Sequence, residues 1–252
     1  MPSKSTLKES LARYPASLSR KQAFTAKSSN LVTLDNWYRT ELREALADRR
    51  EAEDDPYYFR TQELERLMQW KLSRGKWRPR LESLISSNTQ TSLQCGTRYD
   101  PLDAPLSLDG ADEYLNQFCK LKGVGPATAS AILATYDSEN EPFMSDQALE
   151  YVHSRTDEEA KPGNRDYTVK VWAAFRTEMQ KRKQEEGWES MEDLEKALWS
   201  WGIEKELGRS DEEAETEESE SASTTAVKGK RKVDDAETKP AEKKQTKKRK
   251  SS

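Results

Sequence analysis

Cysteine and histidine are nearly missing from this chain. Among 252 residues there are two cysteines, Cys95 and Cys119, and one histidine, His153. A four-ligand zinc site or an iron–sulphur cluster needs more of either, so no metal and no cofactor is expected. Two cysteines are also too few for a disulfide scaffold, and the count suits a reducing compartment. Long apolar runs are missing as well: nothing approaches the roughly 18 residues of a membrane-spanning helix. Residues 1–20 have no apolar stretch of the secretory type, so neither a membrane location nor a secretory leader is expected. Sustained apolar–polar alternation and Asn-Gly hairpin signals are absent too, which argues against strands.

What the chain has in abundance is charge. Charged residues make up 35% and hydrophobic ones 33%, yet the net charge is only −4. That near balance hides segregation. Asp211–Glu220 holds seven acids and no base, whereas Lys228–Ser252 holds eleven bases against four acids. Residues 210–252 carry too little apolar surface to offset the entropy of ordering, and they read as a disordered acidic-then-basic tail. Residues 1–30, rich in Ser, Lys and Arg, read as a disordered basic and polar arm. Between them, 31–209 form one compact multi-helix domain, and the fold class is all-α.

Apolar spacing predicts the helices. One begins near Thr33 and carries Leu34, Trp37, Tyr38, Leu42 and Leu46, ending at the acidic run before Pro56. Thr61 caps a second, with Leu64, Leu67, Met68 and Leu72 inward, and Gly75 stops it. Pro79 opens a third, and a short helix follows within 86–100. Tyr114, Leu115, Phe118 and Leu121 mark the next, then a tight turn, then a helix from Pro126 to Tyr136. The last three run from Asp146 through Val152, from Tyr167 to about Lys183, and onward from Ser190, where Asp193 completes a capping-box spacing.

The most informative stretch runs from Phe118 to Leu133, FCKLKGVGPATASAIL. Two glycines make a tight turn possible, and Pro126 suits a first helical position, where no amide donor is needed. Amides around Gly123, Val124 and Gly125 then point out of a helix N-terminus, a geometry that favours a phosphate. Lys120, Lys122 and Thr128 flank the turn. The segment resembles the helix-hairpin-helix motif of DNA-binding proteins, here within 112–136. In that family the Gly-apolar-Gly turn holds a backbone phosphate without reading sequence.

A wider resemblance is to the helix-hairpin-helix DNA glycosylase superfamily. There the motif is followed by a loop and an aspartate that opens the next helix and assists loss of a base. Asp146, in Pro142-Phe143-Met144-Ser145-Asp146, falls in that order. The resemblance also implies a nucleophilic lysine two residues after the second turn glycine in members with lyase activity; Ala127 stands there instead, so an imine at that position is disfavoured. An Asp opening a helix is equally accounted for as a cap. Together with Met68–Leu81, the motif also resembles a eukaryotic family across most of 33–205, which implies a shared fold and no particular activity.

From Arg66 to Leu81 there are six bases and no acid, interleaved with Trp70 and Trp77. Lys71, Arg74, Lys76, Arg78 and Arg80 are candidate phosphate contacts, and aromatics between them can stack on exposed bases. The alternative is a solvated basic face over buried tryptophans, with Trp70 the one expected inside. In the tail, Lys228, Lys230, Arg231 and Lys232, then Lys243, Lys244, Lys247, Lys248, Arg249 and Lys250, form two clusters suited to nuclear import and to loose contact with nucleic acid or protein partners. Three functions follow in order: a nuclear, non-sequence-specific DNA-binding protein; a monofunctional or degenerate base-excision protein using Asp146; and a non-enzymatic protein-interaction module.

Overall fold

The computed structural model describes residues 2–51, 58–78, 80–99, 106–156 and 167–208. All regular structure among them is helical. The helices are α1 (Lys4–Ala12), α2 (Tyr14–Phe24), α3 (Leu31–Arg39), α4 (Glu41–Glu51), α5 (Thr61–Arg74) and α6 (Arg80–Ser86). Then come α7 (Gln90–Gly96), α8 (Leu108–Phe118), α9 (Pro126–Tyr136), α10 (Asp146–Thr156), α11 (Val169–Glu186) and α12 (Met191–Leu207). Among the described residues, no helix is long and apolar enough to cross a membrane. The tail, with its ten candidate import residues, lies outside the described residues.

Local chemistry sets the helix starts. Ser3, Thr89, Ser107, Thr168 and Ser190 each accept an amide hydrogen bond from the first turn of the helix that follows, which satisfies one of its orphan donors. Ser190 is the cap its spacing with Asp193 predicts. At α5 the cap shifts by one: Arg60 precedes the helix, its amide donating to Glu63 Oε2 at 2.8 Å. The helix expected from Thr33 begins at Leu31 and is broken at Thr40. The Thr40 hydroxyl donates back to the Asn36 carbonyl at 2.7 Å. Such back-bonding competes with the regular helix and bends it.

Within the arm expected to be disordered over 1–30, residues 2–30 are largely helical. They form α1 and α2, and both pack on α12. Average composition concealed a stripe of Leu7, Leu11, Tyr14 and Leu18, spaced four, three and four residues apart, as one helical face requires. Leu7, Tyr14 and Leu18 are buried. Polar contacts fix the register: Arg13 Nε pairs with Glu204 at 2.7 Å, the Ser17 and Ser200 hydroxyls lie 2.7 Å apart, and Arg20 donates to the Leu207 carbonyl at 2.8 Å.

The core is centred on α9, in which every residue from Ala127 to Thr135 is buried. A helix apolar on all sides must be enclosed on all sides, and α4, α5, α8 and α11 contact it. Trp70 of α5 is fully buried and stacks on Tyr38 of α3, ring centroids 3.6 Å apart. Beside this stack runs a buried ionic network. Asp35 accepts from Tyr14 Oη at 2.8 Å, Trp70 Nε1 at 2.8 Å, Arg39 Nε at 3.0 Å and Arg74 Nη1 at 3.2 Å. Arg74 Nη2 pairs with Glu195 at 2.7 Å, and Arg39 with Glu192 at 2.9 Å. Burial alone would raise the Asp35 carboxyl, but Arg39 and Arg74, with Trp70 and Tyr14 donating, bring it down to about 2. Isolated charges could not stay ionised in such a place; mutual pairing keeps them so.

Candidate functional site

A cleft of about 170 Å³ opens where the C-terminal end of α5, the α8–α9 turn and the start of α10 converge. At roughly 30 Å³ of liquid volume per water, that is room for about half a dozen waters.

The turn forms one wall. Gly123 has φ +77°, in the left-handed region, and a Cβ there would lie 3.0 Å from Leu84 Cβ and 3.2 Å from the Ile85 amide. The fold itself therefore requires this glycine. Gly125 is different. It is exposed, its φ of −105° and ψ of 177° suit any residue, and a Cβ would meet nothing within 4 Å. Neither backbone nor packing demands glycine here, and a side chain would stand at the cleft it lines. Asn88 braces the turn from behind: its Nδ2 donates to the Lys122 carbonyl at 2.9 Å, and the Lys122 amide donates to its Oδ1 at 3.0 Å. The Val124 amide donates to the Leu121 carbonyl at 3.2 Å, and Val124 itself is buried. Thus Val124 offers the cleft neither an amide nor a side chain, contrary to its expected role. The amides of Gly125 and Ala127 donate to no backbone carbonyl among the described residues.

Asp146 stands on the opposite side. It is the first residue of α10, and the Leu149 amide donates to the Ser145 carbonyl at 2.9 Å. The capping position therefore belongs to Ser145. The Asp146 carboxylate reaches outside its own helix: Tyr167 Oη donates to Oδ1 at 2.5 Å, and the Lys76 amide approaches Oδ2 at 3.4 Å. Asp146 is half-buried, with Phe143, Met144 and Trp199 among the apolar lining nearby.

The basic segment divides. Lys71, Lys76 and Arg78 line the cleft, with Lys76 and Arg78 exposed and the Arg78 guanidinium 5.4 Å over the Tyr167 ring. Arg80 is exposed at the start of α6, and Lys120 and Lys122 are exposed beside the turn. Arg74 is not a free phosphate contact. It is 1% exposed, with its Nη atoms held by Asp35, Tyr14 and Glu195. Its spacing on α5 puts it on the buried face with Trp70, which the acid-free run of sequence could not reveal. Thr128 is buried and lines the cleft. Trp77 is partly buried against the core, with Lys27 Nζ 5.4 Å from its ring.

Lys71 is the unusual base. Burial pushes its amine down to about 8; nearby Asp146 opposes that shift and Arg78 adds to it. It forms no ion pair with any described carboxylate. Burial pushes the Cys119 thiol the other way, up to about 11. Among the described residues no group of three His, Cys, Asp or Glu is placed to hold a metal ion.

Sequence reading missed Tyr167 and Asn88. Tyr167 lies 21 residues after Asp146, and Asn88 lies 34 residues before its turn partner; neither had a local signal. No protein-family model, curated protein or solved structure matches this chain.

Proposed function

We propose that this protein binds DNA, holding a backbone phosphate at the α8–α9 turn in the manner of a helix-hairpin-helix and admitting one unstacked nucleotide to the adjoining cleft. One observation carries this reading: Gly125, a glycine that the fold does not need, opens onto the same cleft as Lys71, Lys76, Arg78 and Asp146. Outward amides at a helix start favour an anion. Exposed bases around the turn supply charge for neighbouring phosphates. The tail clusters fit a nuclear protein, and a tagged chain ending at Arg209 is expected to lose nuclear enrichment.

A second reading is favoured by the placement of Asp146. A carboxylate that lines a cleft of about 170 Å³, rather than capping its helix, can stabilise positive charge developing on a sugar as its base departs. Chemistry on a base in duplex DNA requires that base to leave the stack. The experiment has two arms. Fluorescence anisotropy with undamaged duplex compares the full chain with one ending at Gly208. Comparable binding by both supports a site in the helical part, and none by either removes the DNA reading. Duplexes carrying a panel of damaged bases are then incubated with wild type and Asp146→Asn. Excision lost in the variant supports base removal; binding without excision leaves a non-enzymatic DNA-binding protein.

A further inference from the structure

Base removal would leave an abasic sugar, which in its ring-opened form is an aldehyde. The cleft that would hold this sugar also contains a primary amine, supplied by α5 and not by the turn. We infer that Lys71 is a nucleophile of this cleft and condenses with the aldehyde carbon of an abasic deoxyribose to form an imine. This rests on the DNA reading proposed above.

Three observations support it. First, Lys71 lines the cleft together with Gly125 and Asp146, so a nucleotide whose phosphate sits at the turn brings its sugar into the space this amine borders. Second, the amine is not tied up: Arg74, one turn further along α5, is locked by Asp35 and Glu195, whereas Lys71 makes no ion pair with a described carboxylate. Third, burial has brought it down to about 8, so the neutral amine is far better populated near neutral pH than in an ordinary lysine. Only the neutral amine has a lone pair to attack a carbonyl, and lysines activated by burial are a recurrent source of imines. The position two residues after Gly125 is Ala127, 5% exposed and without a nucleophile. An amine therefore enters from a different helix.

The step balances within the two partners. The Lys71 nitrogen attacks the aldehyde carbon, and the carbon–nitrogen bond forms as the carbonyl π pair moves to oxygen. The two hydrogens lost by nitrogen leave with that oxygen as water, and the double bond closes between carbon and nitrogen. No oxidant or reductant takes part. Asp146 and the Tyr167 hydroxyl, joined by their hydrogen bond, are the nearby groups able to relay the protons.

The test uses the full chain and two aldehydes: a duplex carrying one abasic site, and free deoxyribose 5-phosphate. Each is incubated with wild type, Lys71→Arg and, as a control outside the cleft, Lys181→Arg in the presence of borohydride, which reduces any imine to a stable secondary amine. The adducted peptide is located by mass spectrometry, and undamaged duplex measures binding separately. The expected result is adduct at Lys71 in wild type and Lys181→Arg. Lys71→Arg should give adduct only at background level with either aldehyde, free deoxyribose 5-phosphate reading the amine apart from duplex binding. Adduct unchanged in Lys71→Arg, or mapped to another amine, overturns the proposal. So does binding of the abasic duplex without trapping, which leaves DNA binding standing. Trapping of deoxyribose 5-phosphate at Lys71 without any duplex binding would support the reactive amine and remove the DNA reading.

Discussion

Gly125→Ala separates what the fold needs from what a ligand needs. In the folded protein the added methyl meets nothing within 4 Å, and the backbone angles suit alanine. Restricting the unfolded chain stabilises by about 0.4–1 kcal/mol, and exchanging a preferred N-cap residue for alanine takes back a similar amount. The melting temperature should therefore hardly move. A phosphate drawn against the Gly125 amide meets that methyl directly. A charge-assisted hydrogen bond contributes about 1.5–3 kcal/mol, so its loss weakens the dissociation constant by roughly 10- to 100-fold. Gly125→Arg, which extends a long side chain over the same spot, should weaken binding despite its added charge. Anisotropy with a short duplex, run beside thermal unfolding, measures both quantities on one preparation. Gly123→Ala is the contrasting control: left-handed backbone alone costs an alanine about 1–2 kcal/mol, and crowding against Leu84 and Ile85 adds to this. If Gly125→Ala folds normally and binds DNA undiminished, the turn is not the phosphate contact.

Other outcomes follow from the same geometry. Reversing charge at Lys76, Arg78 and Arg80 should lower the slope of log affinity against log salt by up to about three, near 0.9 per lost phosphate contact; an unchanged slope removes this face from the interface. Asn88→Ala should cost about 1 kcal/mol by removing the partner of the part-buried Lys122 amide and carbonyl, with faster hydrogen exchange at the turn and weaker binding; equal exchange would show that Asn88 does not brace it. Asp35→Asn leaves Arg39 and Arg74 undercompensated and should cost about 3–5 kcal/mol in urea unfolding; a loss below about 1 kcal/mol, as for an exposed pair, would contradict the buried network. Asp35 and Glu192, both held near 2 by their arginine partners, have folded pKa values below their unfolded ones. Their contribution is complete above about pH 5 and is lost as pH falls toward 2. Acid unfolding with no component in that window would refute it.

The helices inside 61–136 were legible because each carries its own punctuation: Gly75 ends α5, and Pro126 follows a turn that Gly123 makes possible. The cleft was half legible. Gly125 could be named from the two-glycine turn and Asp146 from the glycosylase resemblance, but their meeting around one space depends on how α5 and α10 pack, which no local pattern encodes. Arg74 misled because a base in an acid-free run reads as solvated; its partners Asp35 and Glu195 lie 39 and 121 residues away. The first thirty residues misled for a related reason. Serine and lysine dominate their average, while their four-residue apolar stripe finds its partner only at the far end of the helical region.

That last pairing has a consequence for how the protein comes into being. Ser10 and Glu204 are 194 residues apart, so at about 5–20 residues per second α1 and α2 leave the ribosome some 10–40 s before α12 exists to receive them. Through that interval Leu7, Tyr14 and Leu18 are sticky surface on a nascent chain and a natural hold for chaperones. Trp199 is both the partner of the Tyr14 ring, 5.5 Å away, and part of the cleft lining. The cleft is thus finished by the same late event that closes the fold, and a ribosome-bound intermediate lacks a competent site until its first helices have found its last.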